Sequence, residues 1–405
     1  MASSTPQHSS LLVLNVGSST IKAAIFHRDA NGPPRRTLTA RVESAASGDG
    51  SAHLTVQDAS GSALYESAAP GAETYASLRA LLDWLDANGF ASRLNAAGHR
   101  LVHGGPRYKE PHRVTPELIA ALKEIQQLDP DHTPAALDGI RCVADKFPDL
   151  PQAACFDTAF HSTLPAVARM YALPWEYYNE GIVRYGFHGL SCESVIDQLR
   201  AADPSSANGR VIIAHLGSGA SITAVRGGKS VDTSMGFTPL EGLVMATRAG
   251  DLDPGLVLYL MKQRGMSPDD ADHLLNKQSG LLGLSGDSSD MHALLDRRAR
   301  EPRAAAAIEL FCYRVKKYVG AYAAVLGGVD VLAFSGGIGE HSAAIRERIC
   351  AGLGFIGLEI NTSSNQANAS LISTPASRAK IHVVQTDEER IIARQVIELL
   401  APVQV

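Results

Sequence analysis

Four charged residues of this chain stand where a charge is costly or where ligands gather, and together they suit chemistry on an anion. Arg100 lies in His99-Arg-Leu-Val-His103, a strand-like run in which a charged side chain must be paired or face an opening. Arg248 belongs to Val231 to Pro254, a segment too polar and too rich in glycine to be one buried element, which reads as loop. For either arginine, an anionic substrate and a salt bridge to a nearby carboxylate both meet the cost. Asp157 closes the apolar run Gln152 to Phe156, and functional groups of open α/β sheets collect at such strand ends. Glu388 opens a C-terminal helix, a place that the helix dipole alone explains. Hard cations such as Mg²⁺ are usually held by one or two carboxylates together with substrate phosphates.

Histidine recurs in suggestive places: His132 after Asp129-Pro-Asp131, His161 after Phe160, and His188 in Arg184-Tyr-Gly-Phe-His-Gly189. The usual role of a lone histidine is structural; His188 is the best candidate, because the glycine that follows lets a ligand approach the backbone. His99 and His103 have the spacing of a helical metal pair, but in a strand that spacing separates them by more than ~13 Å, so a metal site there is rejected.

Two glycine-serine turns share one context. Leu11-Leu-Val-Leu-Asn-Val-Gly-Ser-Ser-Thr-Ile-Lys22 and Val211-Ile-Ile-Ala-His-Leu-Gly-Ser-Gly-Ala-Ser-Ile-Thr223 each feed a β-forming run through small residues into a second strand. Glycine there lets backbone N–H groups close on a phosphate. One such hairpin is unremarkable; two with matching flanks point to a duplicated, two-lobed phosphate-binding fold. A third glycine run, Gly336-Gly-Ile-Gly339, follows the apolar strand-like Val329 to Phe334 and suits a nucleotide turn. It is not G-x-G-x-x-G, and no G-x-x-x-x-G-K-[ST] occurs, which argues against a Rossmann dehydrogenase and a P-loop ATPase.

The elements that must position these residues follow from local pattern. Arg28 to Glu73 reads as hairpin strands and surface turns; Ser77 to Asn88, Pro116 to Gln127 and Leu137 to Lys146 as helices; Ala97 to His103 and Gln152 to Phe156 as strands. This alternation predicts a mostly parallel sheet. Ala304 to Leu326 reads as a long helix, another begins near Ser342, and the last opens at Thr386-Asp-Glu-Glu389 with capping-box spacing. The 405 residues correspond to roughly two to three domains. A formal charge of -5 gives no general attraction to nucleic acid or anionic membrane. No apolar run approaches the roughly 18 residues of a membrane span, and Met1 to Ser10 lacks the apolar core of a secretory signal, so a cytoplasmic protein is expected. Five scattered cysteines without a C-x-x-C pair read as buried thiols.

In combination, Asn15-Val-Gly-Ser-Ser, Gly98-His-Arg-Leu-Val-His-Gly-Gly105, Phe156-Asp-Thr-Ala-Phe-His161, Arg184-Tyr-Gly-Phe-His-Gly189, Asp232-Thr-Ser-Met-Gly-Phe-Thr-Pro-Leu-Glu-Gly242 and Gly337-Ile-Gly-Glu340 resemble the acetate kinase family of short-chain carboxylate kinases. That family belongs to the sugar kinase, heat-shock chaperone and actin superfamily. The resemblance implies an α/β fold of two duplicated actin-like (ribonuclease H-like) lobes with a nucleotide cleft between them. Residues 1–165 would form the N-terminal lobe, with the helix 386–405 packing on it, and 166–385 the nucleotide-binding C-terminal lobe.

It also implies reversible transfer between ATP and acetate, giving acetyl phosphate and ADP, with Mg²⁺ (or Mn²⁺ in its place), in a homodimer. Carried over by position, Asn15 and Glu388 would hold the metal, and Ser18, Thr20 and Lys22 the nucleotide phosphates. Asp157, Arg100, His188, Arg248 and His132 would be the catalytic set, with Arg100, Val102, Phe187 and Pro239 around the carboxylate substrate. The nucleotide would lie against His215, Leu216, Gly217, Ser218 and Gly219; against Asp290, Met291 and His292; and against Gly337, Ile338, Gly339, Glu340 and His341. Ser218, His292 and His341 depart from the family's usual Asn, Arg and Asn, and Asp131 stands where a leucine normally lines the methyl pocket. Propionate or butyrate as acceptor, and a non-catalytic actin-like nucleotide switch, are the alternatives.

Overall fold

Apolar β-forming runs build two sheets, and the order in which the chain enters them sets where the charged strand ends fall. The computed structural model describes residues 9–17, 20–29, 32–44, 52–69 and 74–400. Contacts divide the chain into two compact units, Met1–Ala159 with Asp387–Val405, and Phe160–Thr386.

The first unit contains β1 (Ser9–Val16), β2 (Thr20–Arg28), β3 (Arg35–Ser44), β4 (Ala52–Asp58), β5 (Ala63–Ala69), β6 (Leu94–Leu101), β7 (His112–Arg113) and β8 (Gln152–Phe156). They form one sheet in the order β5-β4-β3-β2-β1-β6-β8-β7. Only β1, β6 and β8 run parallel to their neighbours in that row; the remaining pairs are antiparallel. The expectation of a mostly parallel sheet is therefore corrected. Connections of only three to seven residues link consecutive strands from β1 through β5, lengths that can only reverse a strand, whereas β6 and β8 are reached through helices, which permit parallel pairing. Helix Thr74–Ala87 buries Leu78, Leu81, Leu82 and Leu85 against Leu12, Leu14, Ile25 and Val56. Helix Thr133–Lys146 begins four residues before the apolar periodicity suggests, with Pro134 in its first turn.

The C-terminal helix Glu388–Leu400 seats on β6 at Gly98, where an added Cβ would lie 2.6 Å from Val396 Cγ2 and 2.8 Å from Ile392 Cγ2. Its first turn is capped by Asp387, whose Oδ1 accepts from Arg390 N at 3.1 Å. The capping-box spacing at Thr386 is not used: the Thr386 hydroxyl donates to Glu340 instead. Because Val396 and Ile392 are β-branched and cannot swing aside, Gly98→Ala is expected to cost about 1–3 kcal/mol. Denaturant unfolding checks this, and an unchanged midpoint would show that the helix can shift without loss.

The second unit repeats the plan: β9 (Arg210–Leu216), β10 (Ala220–Arg226), β11 (Lys229–Thr233), β12 (Val331–Ser335) and β13 (Lys380–Val383), in the order β11-β10-β9-β12-β13. Again the hairpin strands pair antiparallel and the helix-connected β12 and β13 parallel. Helix Gly189–Ala202 packs Val195, Ile196 and Leu199 on Val211, Ile213 and Val331. The five cysteines are buried free thiols. Among the described residues, no helix is long and apolar enough to cross a membrane.

Candidate active site

In the first unit, parallel register brings distant residues to one edge of the sheet. Arg100 lies opposite Cys155, and Leu101 opposite Phe156, so Asp157 emerges just past the end of β8, where its N–H donates to Leu101 O at 2.9 Å. Arg100 Nη2 donates to Asp157 Oδ2 at 2.6 Å, and Arg100 Nε lies 3.2 Å from the same oxygen. Arg100 Nη1 donates to Asn15 Oδ1 at 3.3 Å, and Glu388 Oε2 is 3.8 Å from Arg100 Nε. The salt-bridge alternative for Arg100 is thus realised, by the carboxylate that the sequence had marked at the next strand end.

Asp157 is 1% exposed. Burial pushes its carboxyl above the usual range; Arg100 pulls it down, Glu388 adds to the rise, and His132 pulls it down further. Burial opposes the charge on Arg100, but Asp157 and Glu388 more than offset it, so the guanidinium stays protonated. Asn15, Asp157 and Glu388 give a set of hard oxygen donors around this cation. The donor chemistry suits Mg²⁺, which prefers one or two carboxylates and completes its shell with water and phosphate.

Across the β1/β2 hairpin Asn15 pairs with Lys22, which is exposed, and Gly17 N donates to Thr20 O at 2.9 Å. Ser18 lies outside the described residues. Val102, just past β6, is half-buried. His132 precedes helix Thr133–Lys146, with its Nδ1 at 2.6 Å from Asp129 Oδ1. Of the two carboxylates in Asp129-Pro-Asp131, Asp131, singled out by its position in the motif, is exposed, while Asp129 is 2% exposed. Burial depends on which way the turn faces, and no local signal separates the two.

In the second unit the Gly217-Ser218-Gly219 turn joins β9 to β10. Beside it, an added Cβ on Gly219 would stand 3.2 Å from His188 Nε2 and 3.9 Å from Arg248 Nη1. Glycine therefore leaves room at the one turn shared by both candidate groups. His188 has φ 58° and ψ 28°, the left-handed conformation, immediately before helix Gly189–Ala202. Such a backbone is uncommon outside glycine and persists only where its surroundings hold it. Here His188 Nδ1 bonds Ser221 Oγ at 3.0 Å and the ring stacks on His215 at 4.3 Å. His215 in turn bonds Ser191 Oγ at 2.7 Å.

Arg248 Nη1 donates to Pro239 O at 3.2 Å, so two candidates from the polar segment touch. Residues that the sequence reading did not single out hold that segment. Arg184 Nη2 donates to Glu241 Oε1 at 2.6 Å, while its Nη1 reaches the carbonyls of Thr233, Ser234 and Met235. Tyr171 donates to Glu241 Oε2 at 2.6 Å and accepts from Phe237 N at 2.7 Å.

Gly336, with φ 73°, starts the turn after β12; its N–H donates to Glu340 Oε1 at 3.0 Å. Fully buried Arg346 fastens this turn from behind, donating to Gly339 O at 2.8 Å, Glu340 O at 2.9 Å and Asn365 Oδ1 at 2.8 Å. Gly337 and His341 are exposed, Ile338 is half-buried, and Gly339 and Glu340 are buried. Asp290 is committed to capping helix Met291–Arg297 through His292 N and Ala293 N; Met291 is buried and His292 exposed. Leu216 is buried and Ser218 exposed.

Phe187 is buried, and its carbonyl accepts from His161 Nε2 at 2.9 Å, leaving His161 Nδ1 to accept from Ser230 at 2.9 Å. His161 is therefore a neutral structural histidine, pushed down by burial to about 4; burial holds His99 at about 4 as well. A depressed histidine disfavours its proton in the folded state, so its stability contribution is complete above about pH 6.5 and is lost as the pH falls through 4. The unfolding free energy is expected to fall steadily between pH 6.5 and 4, by up to about 3 kcal/mol per histidine, and the denaturant midpoint with it. A midpoint independent of pH across that window would contradict this.

The Acetokinase family matches this chain over residues 10–394. The acetate kinase of Methylocella silvestris is 44% identical over 396 residues, covering 96% of this chain and 98% of the relative. A propionate kinase from Francisella tularensis subsp. tularensis superposes with a TM-score of 0.89 at 37% identity, covering 97% of this chain and 100% of that one. The acetate kinase of Porphyromonas gingivalis gives 0.86 at 37% identity, with the same coverage. These matches establish the duplicated actin-like α/β fold and set aside the nucleotide-switch reading. With strand-end charges and glycine turns set in that fold, and its length aligned with these kinases almost throughout, the chain belongs to the acetokinase family and is a carboxylate kinase.

Proposed function

We propose that this enzyme transfers the γ-phosphoryl group of ATP to acetate, reversibly and with Mg²⁺, as a cytoplasmic homodimer. The observation that carries the reading is the grouping of Asn15, Arg100, Asp157 and Glu388 at the strand ends of the first unit. A carboxylate oxygen of acetate attacks the γ-phosphorus as the bond to the ADP oxygen breaks. The nucleophile is already deprotonated, so catalysis reduces to in-line positioning and neutralising charge on the moving group.

Arg100 binds the acceptor carboxylate or the transferring group, and Asp157 orients Arg100. His188 and Arg248 donate to the equatorial oxygens, with His132 as a further donor. Val102, Phe187 and Pro239 surround the acyl group. Thr20, Lys22 and the turns at Gly217 and Gly337 hold nucleotide, together with the segment at Asp290 to His292. Asn15 and Glu388 would hold Mg²⁺, which supplies charge neutralisation at the phosphates. Helix Pro254–Arg264 buries none of its residues and exposes the apolar side chains of Leu256, Leu258 and Tyr259, surface suited to a second copy.

Hydroxamate trapping of acyl phosphate with Mg-ATP and acetate, propionate or butyrate tests the substrate. The highest kcat/KM is expected with acetate; a higher value with propionate would reassign the acceptor, and a modest margin fits the roughly 1–3 kcal/mol that one methylene is worth.

A further inference from the structure

His132 is backed by a carboxylate that solvent does not reach. Asp129 follows the 3₁₀ turn Gln126–Leu128 and is 2% exposed, whereas the His132 side chain is 35% exposed. Asp129 Oδ1 lies 2.6 Å from His132 Nδ1, and Thr133 Oγ1 donates to Oδ2 at 3.4 Å. The backbone closes the same loop, with Thr133 N donating to Asp129 O at 3.2 Å.

An ionised carboxylate only accepts, so the shared proton belongs to Nδ1. With Nδ1 turned toward the buried side, Nε2 is left at the accessible edge of the ring. A carboxylate buried this deeply is costly unless it is hydrogen-bonded and near positive charge; His132 and Thr133 supply the bonds, and Arg100 lies near enough to feel its charge. His132 also lies near enough to Asp157 to hold that carboxyl down against burial.

We propose that Asp129 is a positioning residue: by accepting from Nδ1–H it holds the tilt of His132, so that Nε2 faces an oxygen of the acceptor carboxylate or of the transferring phosphoryl group and donates to it from the protonated ring. The inference rests on the carboxylate kinase reading of this site. The same division of labour, a buried carboxylate behind and a working imidazole in front, fixes ring orientation in other histidine-dependent sites.

The test uses the full chain with Asp129→Ala and Asp129→Asn, each alone and combined with His132→Gln. Asp129→Ala is expected to lower kcat for acyl phosphate formation by about 10- to 100-fold with the KM for ATP unchanged. Asp129→Asn keeps a carbonyl acceptor and drops the charge, so a smaller loss in the same direction is expected and secures the test should the alanine variant not fold. In the His132→Gln background neither change should lower kcat further, because the carboxylate acts through the ring. Ring ¹⁵N resonances of His132 should move from a protonated Nδ1 toward mixed tautomers in Asp129→Ala. Wild-type kcat and ring resonances in both variants, or losses that add fully to that of His132→Gln, would overturn the proposal. A wild type that makes no acyl phosphate from any acid defeats the substrate reading instead, and the ring resonances still decide whether Asp129 sets the tautomer.

Discussion

Arg100→Leu is expected to abolish acyl phosphate formation and to destabilise the first unit by about 3–5 kcal/mol. The cause is not the loss of one favourable contact. Asp157 is 1% exposed, and Arg100 is the group that compensates it at 2.6 Å. Without the guanidinium, the buried carboxylate must stay charged and unpaired or take up a proton, to which burial already inclines it. Replacing both members, as Arg100→Leu with Asp157→Leu, removes the orphan charge and should recover most of the stability, because a buried ion pair adds little over apolar packing. Activity should not return, since neither anion binding nor its orientation survives. Denaturant unfolding and hydroxamate trapping on the three variants separate the two roles. A stable Arg100→Leu variant would mean that Asp157 finds another partner, and an active double variant would remove the pair from the mechanism.

Arg248→Ala should separate those roles in the opposite way, lowering kcat by about 10³-fold at nearly constant stability. Arg248 is half-buried in a loop and bonds Pro239 O at 3.2 Å and Met245 Sδ at 3.7 Å, neutral acceptors that the alanine variant leaves open to water. A guanidinium presents several donors in a fixed fork and suits the spread charge of a transferring phosphoryl group, which lysine meets only as a point charge. Arg248→Lys is therefore expected to regain a small part of the loss. Steady-state kinetics with Mg-ATP and acetate check this, the KM for ATP staying within about twofold if the side chain acts in the transition state. A wild-type kcat in Arg248→Ala would place the charge stabilisation elsewhere.

What was legible in the sequence was local. Aliphatic runs broken by Gly-Ser predict the β1/β2 and β9/β10 hairpins, and the leucine spacing from Leu78 to Leu85 predicts a helix, because a period of two or of 3.6 residues is written in neighbouring positions. Asp157 at a strand end is a local inference as well, and the combined motifs identify the family. Sheet direction was misread, since helix-strand alternation around β6 and β8 says nothing of the antiparallel ribbon on the other side of β1. The cap of the last helix went to Asp387 because Thr386 is engaged by Glu340, a choice made by a partner far along the chain.

By itself the sequence determined the hairpins, the helices, the candidate charges and the family. Tertiary structure alone decided which polar groups meet: Arg100 with Asp157, Asn15 and Glu388; Arg248 with the Pro239 carbonyl; Arg184 with Glu241; and Asp129, not Asp131, behind His132. The reason is physical. Periodicity and turn chemistry act through adjacent residues, whereas desolvation and ion pairing depend on what packs against a group from elsewhere in the chain, and that is settled only when the sheets close.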